Sequence, residues 1–142
     1  MRSDLLVLGA GLNRIKQLQF KLNFCNIPLS QMLPAPGQGA IAITCNKQNI
    51  SIKKICKKLD CPNTRVSLIS ERNLIKKING DCFTPIAALA KIKNGSVLLK
   101  ARLFSKDYKK FVQDKKSGPI KSAKSLGENC AESLLNKLKK LK

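Results

Sequence analysis

The sequence has no histidine, no tryptophan, one tyrosine and five phenylalanines, and only eight acidic residues among its 142. So few aromatics leave little on which nucleobases could stack. With histidine absent, a zinc site would fall to the six cysteines, and they contain no CxxC pair. Cys56 and Cys61 are the nearest two, while Cys25, Cys45, Cys82 and Cys130 are scattered, so neither a metal site nor a disulfide framework is indicated. No apolar run approaches the ~20 residues needed to cross a bilayer. The short run from Leu5 to Leu12 is preceded by Asp4 and followed by Asn13 and Arg14 without a small-residue cleavage site, unlike a signal peptide. These absences predict a soluble, reduced, cytoplasmic protein with no metal and no membrane partner.

What is present fits a folded chain. Hydrophobic residues make up 43% and charged residues 25%, enough apolar content for a core. The length suits one ordinary domain, or a small domain with a piece of another. The formal charge of +20 comes from 28 basic residues, all lysine except Arg2, Arg14, Arg65, Arg72 and Arg102. Clustered cations would favour a nucleic-acid partner through counterion release. The lysine-rich, asparagine-rich and isoleucine-rich composition instead matches the codon bias of an AT-rich genome, and no nucleic-acid partner is expected.

Along the chain, Leu5–Leu8 and Leu12–Phe20 read as a strand entering a helix, or as one short buried helix. Gly9 and Gly11 resemble a dinucleotide fingerprint only in part, because Arg14 fills its third glycine position. Three prolines and two glycines between Pro28 and Gly39 forbid a helix there. Residues 40–44 then read as a short strand buried on both faces, ending at Cys45 as core filler. A lysine-rich helix is predicted over 51–59, broken by Pro62. A second helix follows, capped by Asn63 or Thr64, with Leu68, Leu74, Ile75 and Ile78 apolar, and ended by Asn79 and Gly80 in a left-handed turn.

Next, 85–93 and 96–104 flank Asn94-Gly95, the strongest two-residue signal for a type I′ hairpin. Val97, Leu99, Ala101 and Leu103 alternate toward a core. A shorter edge strand is expected over 108–113. In the final stretch, 122–141, Leu126, Cys130, Leu134 and Leu138 recur every fourth position, as in a helix covering the sheet. From about residue 47 the fold class is α+β: a three-stranded antiparallel sheet covered by helices.

Three ordered blocks carry a specific resemblance. Leu33, Pro34, Ala35, Pro36, Gly37, Gln38, Gly39 and Ala40 read LPAPGQGA; Glu71 and Arg72 are followed by Gly80, Cys82, Pro85 and Ile86; and Leu8 to Arg14 form a glycine-rich segment. Together they resemble the porphobilinogen deaminase family over nearly the whole chain. The resemblance implies that residues 1–46 are a remnant of an α/β second domain with the crossover strand back to a first domain, and that 47–142 are the C-terminal cofactor-attachment domain.

That family joins four porphobilinogen units into hydroxymethylbilane with loss of ammonia, in tetrapyrrole (heme) biosynthesis, starting from a covalently held dipyrromethane cofactor. The resemblance implies that Cys82 carries this dipyrromethane as a thioether. Loss of ammonia from porphobilinogen leaves an electrophilic methylene, which a soft sulfur nucleophile captures readily. A plain buried thiol is the other reading of Cys82. Asp81 departs from the Gly or Ser often found before the family's cysteine, and its charge would raise the thiol pKa.

Arg14 matches a family arginine that binds pyrrole acetate and propionate groups, though a solvated helix residue would look the same. Gln38 and Gly39 match a crossover close to the cofactor, and equally suit a hinge. The family's catalytic aspartate belongs to its first domain, and none of the eight acidic residues here matches it, so no catalytic residue is assigned. The expected partners are porphobilinogen and a separately encoded N-terminal part, in a family that is usually monomeric. A scaffold domain kept for partner binding is the non-catalytic alternative.

Overall fold

The structure, a computed structural model, describes residues 25–81 and 83–141. Arg14 and Cys82 therefore lie outside the described residues, as does the predicted strand-and-helix segment 5–20. Two compact units divide at residues 32 and 33. Of the first, residues 25–32 are described: they are exposed, with a turn in which the Gln31 and Met32 N–H groups donate to the Pro28 carbonyl.

The second unit, Leu33–Lys142, holds two helices, α1 (Ile50–Leu59) and α2 (Pro62–Ile78), then strands β1 (Ile86–Lys93), β2 (Ser96–Phe104) and β3 (Phe111–Pro119). A 3₁₀ turn, Ile120–Ser122, leads into α3 (Ala123–Lys139). The strands form one antiparallel sheet in the order β1-β2-β3, which is the predicted α+β class.

The hairpin forms as its turn demands: Lys93 pairs with Ser96, and Asn94 and Gly95 take φ of 48° and 70°, both left-handed as a type I′ turn requires. Ala88, Ala90, Val97, Leu99, Ala101, Leu103 and Val112 face the core, where Leu74 of α2 and Leu126, Cys130, Ala131 and Leu134 of α3 meet them. On the opposite face, Arg102 lies 5.0 Å from the Phe111 ring centroid, and Phe104 and Phe111 are 5.6 Å apart. The α2 and α3 backbones approach at Gly127, where an added Cβ would lie 2.2 Å from the Ser70 carbonyl oxygen.

Several expectations are corrected. Residues 40–44 form no strand: the sheet has no ladder position for them, and Ile41 and Ile43 are 80% and 56% exposed. A strand's amides need a neighbouring strand, and sequence pattern alone cannot supply one. Cys45 is exposed rather than core filler for the same reason. Helix α2 is not capped by Asn63 or Thr64; Pro62 opens it at the first turn, where its missing N–H and fixed φ are harmless, and Cys61 holds the cap position.

The third strand is longer and later than expected. Tyr108, at φ 59°, belongs to the turn closed by Ser105 N–H donating to the Lys110 carbonyl, so pairing begins at Phe111 and runs the length of β2. Its Gln113–Ser117 stretch is polar, which hid it from an alternation test.

Candidate functional site

The loop from Asn79 to Pro85 joins α2 to β1, and its entry is fixed by local chemistry. Asn79 adopts φ 55°, and the Gly80 N–H donates to the Ile75 carbonyl at 3.0 Å, closing the helix with a left-handed cap as predicted. Asp81 and Thr84 then tie the loop across position 82. The Asp81 N–H donates to Thr84 Oγ1 at 2.9 Å, Thr84 Oγ1 donates to Asp81 Oδ1 at 3.0 Å, and the Phe83 N–H donates to that same oxygen at 3.0 Å.

Those two donors hold the Asp81 carboxyl below its ordinary range, the Thr84 hydroxyl first and the Phe83 N–H next. Phe83 is 87% exposed, so the loop opens to solvent on its far side. Gly80 packs inward instead, where a Cβ would meet Thr84 and Ile75 at 3.2–3.3 Å.

A second organised region lies along the open edge of β1. Three of its outward amides find acceptors: Ile86 N–H on the Thr84 carbonyl at 2.8 Å, Ala88 N–H on the Pro34 carbonyl at 3.0 Å, and Ala90 N–H on Glu71 Oε1 at 2.7 Å. The other Glu71 oxygen, Oε2, accepts the Gly37 N–H at 2.6 Å. One carboxylate thus joins α2, β1 and the 33–37 segment while only 4% exposed. Burial pushes its pKa above the ordinary glutamate value, and the two N–H donors work against that rise.

This clamp sets the start of the Gln38–Gly39 turn. Gly37 and Gly39 both take left-handed φ, 78° and 84°, and the Ala35 N–H donates to Gln38 Oε1 at 3.1 Å. An open cleft of about 430 Å³ follows, with Gln38, Gly39, Thr64, Ser67, Glu71 and Lys91 among its lining. Nothing lies within 4 Å of where a Gly39 Cβ would be, so the backbone there is open to close approach.

Gln38 and Gly39 are therefore brought together beside Glu71. Sequence reasoning used Glu71 only as part of a motif and missed its role as the clamp. The available signal was its position three residues before Leu74, which places a carboxylate on the apolar face of α2. Among the described residues no group of three or more potential metal ligands occurs, and no helix is long and apolar enough to cross a membrane.

Of the described cysteines, Cys130 is fully buried, its thiol pushed up to about 12 by desolvation and then by the Asp114 carboxylate. Cys61 behaves oppositely: the Thr64 hydroxyl donates to its sulfur at 3.2 Å and lowers its pKa.

Two family models match the chain. One, described as porphobilinogen deaminase, C-terminal domain, covers residues 65–136. The other, described as porphobilinogen deaminase, dipyromethane cofactor binding domain, covers residues 2–54. Among curated proteins, the chain is similar to a porphobilinogen deaminase of Coxiella burnetii, 35% identical over 131 residues, which are 92% of this chain and 42% of that protein. A Desulforudis audaxviator counterpart is 33% identical over 133 residues, 93% of this chain and 42% of its own length. One from Clostridium novyi is 30% identical over 135 residues, 94% and 45%. The chain spans less than half the length of these relatives.

Proposed function

Since this chain belongs to the porphobilinogen deaminase family, we propose that it is the cofactor-bearing part of a hydroxymethylbilane synthase, with Cys82 as the thiol that holds dipyrromethane. The observation that carries this reading is the loop around position 82. It is closed by the Asp81–Thr84 hydrogen bonds, anchored between a capped helix and the β1 hairpin, and open to solvent at Phe83.

These features fit a bulky covalent group. A thiol in such a loop has a rigid base, while the attached chain has free space beyond it. When bound, dipyrromethane supplies an electron-rich pyrrole terminus from which the tetrapyrrole grows. The chain's own residues do simpler work. Cys82 anchors; Asp81, kept ionised by Thr84 and Phe83, fixes the loop; and Gly39, with no Cβ, lets the backbone of the Gln38–Gly39 turn approach a ligand closely. Glu71 holds that turn beside β1. In this reading Arg14 binds the acetate and propionate carboxylates of the pyrroles through its guanidinium fork.

The substrate is porphobilinogen, and the general acid that manages its leaving amine comes from the family's first domain. Without such a group the rate falls by a factor of about a hundred to ten thousand, and more without the preorganised site. Turnover therefore needs a complementing N-terminal polypeptide, encoded separately or upstream. The test is an assay of porphobilinogen consumption by the purified chain, alone and mixed with such a polypeptide. Activity confined to the mixture is expected; full activity of the isolated chain, or none in a folded mixture, contradicts the proposal.

A further inference from the structure

The sheet has one covered face and one open face. β2 turns Leu98, Lys100, Arg102 and Phe104 away from the core, and the ladder sets Lys115 beside Lys100, Gln113 beside Arg102, and Phe111 beside Phe104. On β1, Lys91 and Lys93 continue the same face, because side chains on one side of a strand recur every second residue. The open face therefore carries Lys91, Lys93, Lys100, Arg102 and Lys115, and none of the described Asp or Glu residues belongs to it. Elsewhere lysines meet carboxylates: Lys77 pairs with Glu132 at 2.7 Å and Lys137 with Asp114 at 2.9 Å. Lys100 and Lys115 instead stand directly opposite each other, a like-charge pair that weakens a sheet unless an anion lies between them.

This face ends at the loop around position 82. The Phe104 N–H donates to the Pro85 carbonyl at 2.9 Å, so Arg102, Phe104 and Phe111 occupy the end of the sheet that the loop enters. Arg102 is held there by the Phe111 ring, 5.0 Å away, and its Nε lies 3.5 Å from Gln113 Oε1. We propose that the open face binds the acetate and propionate carboxylates of the pyrrole chain as it lengthens, through Arg102, Lys100 and Lys115. The inference rests on the reading of Cys82 as the tether, and it adds a second carboxylate-binding surface to that of Arg14.

Each added unit brings an acetate and a propionate, so repulsion along the tethered chain rises with every cycle and a cationic track relieves it. Successive rows on one sheet face are ~7 Å apart, two residues at about 3.4 Å each. Carboxylates leaving the loop meet Arg102 first and the Lys100–Lys115 pair next. The arginine offers a two-pronged donor and the lysines point charges. Phe104 and Phe111 offer ring surface against which pyrroles can pack. A general excess of lysine lacks this combination: α1 carries Lys53, Lys54, Lys57 and Lys58 but neither an arginine nor an aromatic residue.

The experiment uses the full chain with Cys82→Ala, which has no tether, so its outcome is independent of covalent loading. Uroporphyrin, an octacarboxylate built from pyrroles with the same acetate and propionate groups, is titrated and followed by absorbance. Saturable binding is expected, weakened about tenfold or more by Arg102→Gln and by Lys100→Gln with Lys115→Gln, as loss of a charged hydrogen bond implies. Lys54→Gln with Lys58→Gln, which removes the same charge from α1, should change it by less than about twofold. Thermal unfolding of each unliganded variant checks that the fold is kept. Absence of saturable binding, or an equal loss from the two lysine pairs, overturns the proposal. So does oligothymidylate that displaces uroporphyrin at lower concentration, which would mark the face as a nucleic-acid surface. None of these results touches the tether, which is judged by the mass of the wild-type chain.

Discussion

Glu71 accepts the Gly37 N–H at 2.6 Å across 34 positions of sequence, and its other oxygen takes the Ala90 N–H at 2.7 Å. Both donors lose their acceptor if the side chain is truncated. Replacing the carboxylate by an amide also sets an NH2 group against one N–H. Glu71→Ala and Glu71→Gln should each cost roughly 1–3 kcal/mol of stability, the range for buried donors left unsatisfied. Urea unfolding measures this, and faster amide exchange at Gly37 and Ala90 would localise it.

The pH dependence of that loss has a definite sign. Burial raises the folded-state pKa of Glu71, so between the ordinary value of 4.5 and the raised one the folded chain holds a proton that the unfolded chain has released. Its contribution is complete below the ordinary value and declines as pH rises through the folded one. The stability difference between wild type and Glu71→Gln should therefore shrink on going from acid toward neutral pH. Chemical denaturation at a series of pH values reads it directly.

Gly127 predicts a contrast with Gly118. An added Cβ at 127 would strike the Ser70 carbonyl at 2.2 Å and the Leu74 nitrogen at 3.0 Å, both backbone, whereas at 118 it meets only the movable Leu126 Cδ1 at 3.1 Å. Gly127→Ala should cost on the order of 2–4 kcal/mol by forcing α2 and α3 apart, and Gly118→Ala about 1 kcal/mol or less. Thermal unfolding of the two variants compares them.

Much of the α+β unit was legible because its signals are local. Asn94-Gly95 carries its own turn conformation, Val97 to Leu103 alternate, and Leu126, Cys130 and Leu134 recur at helical spacing. What was not legible depends on partners distant in sequence. Residues 40–44 look like a strand, yet pairing needs a neighbour that no local pattern reveals. β3 is polar and is held by its register on β2, not by its own hydrophobicity. The LPAPGQGA and Cys82 motifs could be named from sequence, but the bond from Glu71 to Gly37 that organises the first of them appears only once α2 and β1 are assembled.

Asp81 offers a test of the loop itself. Its carboxyl is held below 3.8 by the Thr84 hydroxyl and the Phe83 N–H. A depressed folded-state value means that these bonds persist above the ordinary pKa and are lost as pH falls through the depressed one. Carbon NMR titration of Asp81 should show a midpoint below 3.8, and Thr84→Val should move it upward.

The most direct measurement is the intact mass of the chain purified after coexpression with a complementing N-terminal polypeptide. The account predicts an added dipyrromethane on the wild-type chain and none on Cys82→Ala. An adduct that persists unchanged in Cys82→Ala would contradict it.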